Sequence, residues 1–166
     1  DFAGKKVAGF GATGSVGGCV AAITANLGAQ AILVGHKTVA EVREKADSYN
    51  QRYGTEIGFA DGTNDEAKQA VLNDADVVLC AAAAGIRVVT INQILQSKTL
   101  KIIADVNAVA PTGAEGVDVM ADGVVIEGTK VVGIGALAIG NLKYTTQHNL
   151  LKQMLATDKP CYLEFM

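Results

Sequence analysis

Between a short apolar run and a stretch of helical spacing lies Gly9-Phe10-Gly11-Ala12-Thr13-Gly14-Ser15-Val16-Gly17. Two glycine registers overlap in it. Gly9, Gly11 and Gly14 fit G-x-G-x-x-G, and Gly11, Gly14 and Gly17 fit G-x-x-G-x-x-G. The second is preferred, because the first spends Gly9 and Phe10 inside the preceding strand. In that register Gly11 makes the sharp turn, Gly14 admits a pyrophosphate to the backbone, and Gly17 lets the helix lie against the strand. Amides at the helix N-terminus then face the phosphates, and the helix dipole favours their charge. Thr13 and Ser15 add hydroxyl donors, and Ala12 and Val16 complete the loop. A tight turn without a ligand would also use such glycines. The setting favours dinucleotide binding over the plain turn: the loop joins strand to helix inside a βαβ unit of roughly 30 residues.

Working outward, residues 5–10 read as a buried strand. Val16, Val20, Ile23 and Leu27 follow at spacings of 4, 3 and 4, which is helical, and Gly28 ends that helix. Residues 31–34 form a second strand, ended by Gly35. Val39, Val42, Ala46, Tyr49 and Tyr53 mark an amphipathic helix closed by Gly54, with Glu41 and Lys45 paired on its outer side. A strand at 56–60, a helix from Thr63 to Leu72, a strand at 76–80, a helix at 90–96 and a strand at 100–104 continue the alternation. Two short strands at 124–126 and 130–134 precede a helix at 141–155, with Leu151, Met154 and Leu155 facing inward. Strand and helix in alternation predict an α/β fold: a doubly wound parallel sheet with helices on both faces, Rossmann-like.

The 166 residues suit one domain. Nearly half are hydrophobic (49%) and 19% are charged, enough for a core and against disorder. The net charge of −3 argues against a nucleic-acid or polybasic membrane role, and no apolar stretch is long enough to span a bilayer. Cys19, Cys80 and Cys161 are odd in number and form no C-x-x-C, which disfavours a disulfide framework or a metal site. Cys19 and Cys80 lie in apolar runs and read as core residues, suiting a reducing, cytoplasmic setting. The chain opens on Asp1 with no signal-peptide pattern, which is expected of a piece of a longer protein.

The end of the second strand bears on which dinucleotide fits. An NAD site has Asp or Glu there to hold the ribose hydroxyls. This chain has His36-Lys37-Thr38 instead. Two bases and a hydroxyl suit a 2′-phosphate, so NADP is favoured over NAD; solvated loop residues are the plain alternative. Further along, Ala81, Ala82 and Ala83 follow the fourth strand, either beside the cofactor's ribose and nicotinamide or as a helix–sheet contact. Asp105, Asn107 and Thr112 follow the fifth strand at the ligand-binding edge, as ligand contacts or as turn caps. The glycine-spaced run 133–141, with Ala138 inside it, suits passage beside a nicotinamide, and Lys143 just beyond suits an anionic or carbonyl-bearing substrate or plain solvent. The two histidines, His36 and His148, are far apart, and neither a Ser-His-Asp nor an H-E-x-x-H arrangement is present. Hydride transfer fits this inventory, since it asks for positioning and not for a protein nucleophile.

The loop 12–17, Gly35-His36-Lys37, Ala104-Asp105-Val106-Asn107-Ala108-Val109-Ala110-Pro111-Thr112-Gly113 and Gly135-Ala136-Leu137-Ala138-Ile139-Gly140-Asn141-Leu142-Lys143 occur in one order. Together they resemble the NADP-binding domain of the methylene-tetrahydromethanopterin dehydrogenase family, over most of the chain. This sequence departs from the family's G-T-G-P-V-G loop at Ala12 and Ser15. The resemblance implies oxidation of a methylene-tetrahydropterin with transfer of hydride to NADP. It implies pyrophosphate binding by residues 13–17, 2′-phosphate binding by His36 and Lys37, and a nicotinamide side lined by Ala81 to Ala83, Asp105, Asn107 and Ala138. Lys143 would stand at the pterin cleft as the catalytic candidate. It also implies that residues 1–166 are a single dinucleotide-binding domain, parted from an N-terminal pterin-binding domain, and that the full-length protein is a homo-oligomer. A dehydrogenase of another small substrate, shikimate-type, or a non-catalytic NADP sensor are the competing expectations.

Overall fold

The computed structural model describes residues 1–161. Its elements in chain order are β1 (Lys6–Phe10), α1 (Ser15–Asn26), β2 (Gln30–Gly35), α2 (Val39–Tyr53), β3 (Gly58–Asp61), α3 (Asp65–Leu72), β4 (Val77–Cys80), α4 (Ile91–Gln96), β5 (Ile102–Asp105), β6 (Asp122–Val125), β7 (Val132–Ile134) and α5 (Ala136–Leu155). The strands form one sheet in the order β3-β2-β1-β4-β5-β7-β6. Every neighbouring pair is parallel except β6 with β7. This is the doubly wound nucleotide-binding order, with an antiparallel strand added at one edge. The chain reverses its direction of winding between β1 and β4, so the crevice outside the carboxyl ends of those strands is where a ligand belongs.

Two cores flank the sheet. On one side Ala12, Ala21, Ala22, Leu33, Val42 and Ala46 pack α1 and α2 against β1 and β2. On the other, Phe10, Val34, Leu72, Val78, Ile94 and Ile103 pack under α3 and α4. Local chemistry sets the helix starts. Thr38, Asn64 and Thr90 each accept a main-chain amide three residues on, capping α2, α3 and α4.

The structure departs from the sequence-based expectations in five places. First, α1 is where its spacing predicts, but it turns its other face to the sheet. Gly17, Gly18, Ala21, Ala22 and Thr24 are buried, while Val16, Ile23 and Leu27 are more than half exposed. Small residues bring the helix axis close enough to reach the glycine loop, and the larger apolar side chains are left outside. Second, Cys19 shares that outer face and is exposed, so it is no core residue; Cys80 is buried as expected. Third, Glu41 and Lys45 form no ion pair, and the pair on the outside of α2 is Arg43–Asp47 at 3.9 Å. Fourth, α5 begins at Ala136 and not near Asn141, with Gly135 as its extended N-cap. Fifth, Leu151, Met154 and Leu155 are exposed, and α5 buries none of its residues.

A candidate nucleotide-binding crevice

The crevice begins at Gly11. Its φ of +65° lies in the left-handed region that favours glycine, which is what the sharp turn out of β1 requires. A Cβ on Gly11 would lie 2.6 Å from the Ala82 Cα, so the glycine loop and the segment after β4 touch across the switch point. The Phe10 carbonyl accepts the Ala81 amide at 2.9 Å and fixes that contact. At Gly17 a Cβ would run into Ala12, itself fully buried, so this glycine is demanded by close packing. Gly14 is different: a Cβ there meets nothing within 4 Å. Its freedom from side chain is not needed by the protein's own packing, and the space in front of it is open.

Gly14 is the N-cap of α1 and supplies no side-chain oxygen. The first amides of α1 thus lack the side-chain partner that α2, α3 and α4 have at theirs. They carry the positive end of the helix dipole at the carboxyl end of β1, the edge of the sheet where ligands bind in this fold. Tyr49 braces the loop from α2, its hydroxyl donating to the Gly14 carbonyl at 3.4 Å. Nothing in the sequence marked Tyr49 for this; its apolar position on α2 only places it on the inner face.

Beside the loop, Thr13, His36, Lys37, Thr38, Glu41, Glu44 and Lys45 line a cleft of about 300 Å³. The structure thus brings Thr13 together with His36, Lys37 and Thr38. It also adds two carboxylates that sequence reading missed, because they come from α2 and not from the end of β2.

A second cleft of about 260 Å³ opens across His36, between Gly62, Thr63, Ala82, Ile86 and Arg87. Sequence reading missed Gly62, Thr63, Ile86 and Arg87. The Thr63 amide donates to Asp61 Oδ1 at 2.9 Å, and this bond holds the Asp61 carboxyl below the usual carboxylate range. Arg87 is anchored to Glu115 at 2.7 Å. Ala81 and Ala82 are half-buried and Ala83 is exposed at the mouth.

Asp105 and Asn107 are buried and fully engaged. Asp105 Oδ1 accepts the Asn107 amide and Oδ2 accepts the Ala114 amide, both at 2.9 Å. Asn107 Oδ1 accepts the Val109 amide at 2.9 Å, and its Nδ2 donates to the Pro111 carbonyl at 3.2 Å. These side chains shape the loop after β5; Thr112 donates to the Ala114 carbonyl at 3.0 Å and belongs to the same loop. Ala138 is half-buried in the first turn of α5, and Lys143 lies two turns into that helix, exposed and outside both clefts.

No protein-family model matches the chain. An NAD(P)-dependent methylenetetrahydromethanopterin dehydrogenase from Methylorubrum extorquens is 42% identical to it over 165 residues, 99% of this chain and 56% of that one. The chain belongs to that family. A protein of the same organism named bifunctional protein MdtA is 32% identical over 116 residues, 70% of this chain and 39% of its own length. The chain therefore spans little more than half of the dehydrogenase it matches. Among solved structures, a transhydrogenase from Sinorhizobium meliloti superposes with a TM-score of 0.62 at 18% identity, over 92% of this chain and 45% of that one. At that identity the likeness concerns the fold. Among the described residues, no helix is long and apolar enough to cross a membrane.

Proposed function

We propose that this chain is the nucleotide-binding domain of an NADP-dependent methylene-tetrahydropterin dehydrogenase of one-carbon metabolism. One observation carries the reading. The uncapped N-terminus of α1, with open space before Gly14, adjoins a cleft lined by His36, Lys37 and Thr38. The 42% identity to a methylenetetrahydromethanopterin dehydrogenase supplies the reaction class.

Backbone amides at residues 13–17 take the pyrophosphate, and the loop's lack of side chains lets it approach. Lys37 and His36 take the 2′-phosphate. The ribose and nicotinamide run past Ala81, Ala82 and Ala83 toward the loop that Asp105 and Asn107 hold in shape. Ala138, in the first turn of α5, is assigned to the nicotinamide side. Bound there, the nicotinamide supplies the hydride acceptor. The methylene carbon of a reduced pterin lies between two nitrogens whose lone pairs stabilise the cation left behind. The chain therefore needs no general base; it orients the reactants and excludes water. Lys143, exposed on α5, is assigned to the pterin side, which the rest of the longer protein completes. We place the enzyme in the cytoplasm, supported by three free thiols, and as a homo-oligomer, supported by the exposed apolar faces of α1 and α5.

The test is turnover by the full-length protein with methylene-tetrahydromethanopterin or methylene-tetrahydrofolate and NADP⁺. Reduced nicotinamide forms with one of them, and Lys143→Ala slows it without changing NADP⁺ affinity. Binding of NADP⁺ with no turnover of either pterin would overturn the reading.

A further inference from the structure

The cleft beside the glycine loop is charge-balanced. Lys37 and Lys45 face Glu41 and Glu44 in it, and none of the four takes part in an ion pair among the described residues. A cleft dedicated to a 2′-phosphate would carry a positive excess. Glu41 has a further peculiarity. Thr38-x-x-Glu41 and Thr90-x-x-Gln93 have the same capping-box pattern. At α4 both halves of the box form: Gln93 donates its amide to Thr90, and its side chain accepts the Thr90 amide at 2.9 Å. At α2 only the first half forms, with the Glu41 amide donating to Thr38 Oγ1 at 3.1 Å. The Glu41 carboxylate is not spent on the cap, and it lines the cleft.

We infer that Glu41 sets the balance between the two nicotinamide dinucleotides, supplying from the first turn of α2 the carboxylate that the end of β2 lacks. It accepts hydrogen bonds from a bare ribose diol, as the strand-end acid does in NAD sites. It repels a 2′-phosphate and so offsets part of the attraction of Lys37 and Lys45. Glu41 is then the residue that limits the preference for NADP and leaves NAD a measurable affinity. This rests on the adenosine ribose lying in this cleft.

Calorimetric titration of NADP⁺ and NAD⁺ into the full-length protein tests both layers. Glu41→Gln preserves the fold, because Thr38 uses the main-chain amide and a glutamine can close the box as Gln93 does. We expect it to shift the ratio of the two dissociation constants about tenfold toward NADP⁺, and Glu44→Gln, one turn farther along, to shift it by less than about threefold. Lys37→Ala shifts the ratio the opposite way. An unchanged ratio in Glu41→Gln, with Lys37→Ala still selective, would overturn the role of Glu41 alone. Equal shifts in Glu41→Gln and Glu44→Gln would assign the effect to summed charge and also overturn it. A Lys37→Ala protein that loses both dinucleotides equally would remove the ribose from this cleft, and the proposal with it.

Discussion

Asp105 holds Ala114 across nine residues of chain: its Oδ2 accepts the Ala114 amide at 2.9 Å while Oδ1 takes the Asn107 amide. The intervening loop is folded back onto the sheet, and the Gly113 carbonyl accepts the amides of Val88 and Val89 at 2.8 and 3.0 Å. A Cβ at Gly113 would lie 2.9 Å from Asp105 Oδ1, so the carboxylate and the glycine fit as a pair. One buried acid thereby ties the loops after β4 and β5 into a single wall of the crevice.

Asp105→Asn puts an amide donor where a main-chain amide already donates. We expect a loss of about 2–3 kcal/mol of unfolding free energy, the scale of a charge-assisted bond replaced by an unmet donor. Urea unfolding measures it. Unchanged stability would show that the loop is held by something else.

Gly14 and Gly17 have opposite roles, and the same substitution separates them. Gly17→Ala forces a methyl group into Ala12 and costs about 1–3 kcal/mol of stability. Gly14→Ala meets nothing in the protein and costs about 1 kcal/mol or less, but under the proposed function its methyl group would stand where the pyrophosphate approaches. It weakens NADP⁺ by about tenfold or more. Thermal unfolding and calorimetry on the two variants check this; a Gly14→Ala protein that binds normally would contradict the loop's assignment.

Cys80 is buried opposite Asp105 on the paired strands β4 and β5. Burial pushes its thiol well above the ordinary range, and the Asp105 carboxylate adds to the effect. Cys19 and Cys161 are exposed and Cys80 is buried, so in the native protein we expect a thiol reagent to modify the first two and to reach Cys80 only on unfolding. The raised value also fixes a sign. The protonated thiol supports the fold fully below the unfolded value of about 8.5, and stability falls as pH rises above it toward the folded value. Unfolding free energy measured from neutral to alkaline pH should decline in the wild type and decline less in Cys80→Ala. Equal slopes would contradict the assignment.

Much of this architecture was legible in the residues themselves. Apolar runs alternating with helical spacing located β1 through β5, and the glycine loop located the crevice, because both signals are local. Four features were not. Val16, Ile23 and Leu27 form the larger apolar stripe of α1, yet the sheet takes the small one, since close approach matters more there than area buried per residue. Gly135 and Gly140 suggested a loop, but Gly135 caps α5 and Gly140 is carried inside it. Glu41 entered the cleft only through the geometry of α2, and the buried partners of Asp105 are main-chain amides that no side-chain pattern displays.

The central claim is that the amides opening α1 and the base-bearing end of β2 form one nucleotide site. Backbone amide shifts during titration of NADP⁺ into the isotopically labelled protein test it most directly. The account predicts the largest perturbations at residues 11–17 and 35–38, saturating together at one dissociation constant. Perturbations concentrated on α5, with the glycine loop silent, would contradict it.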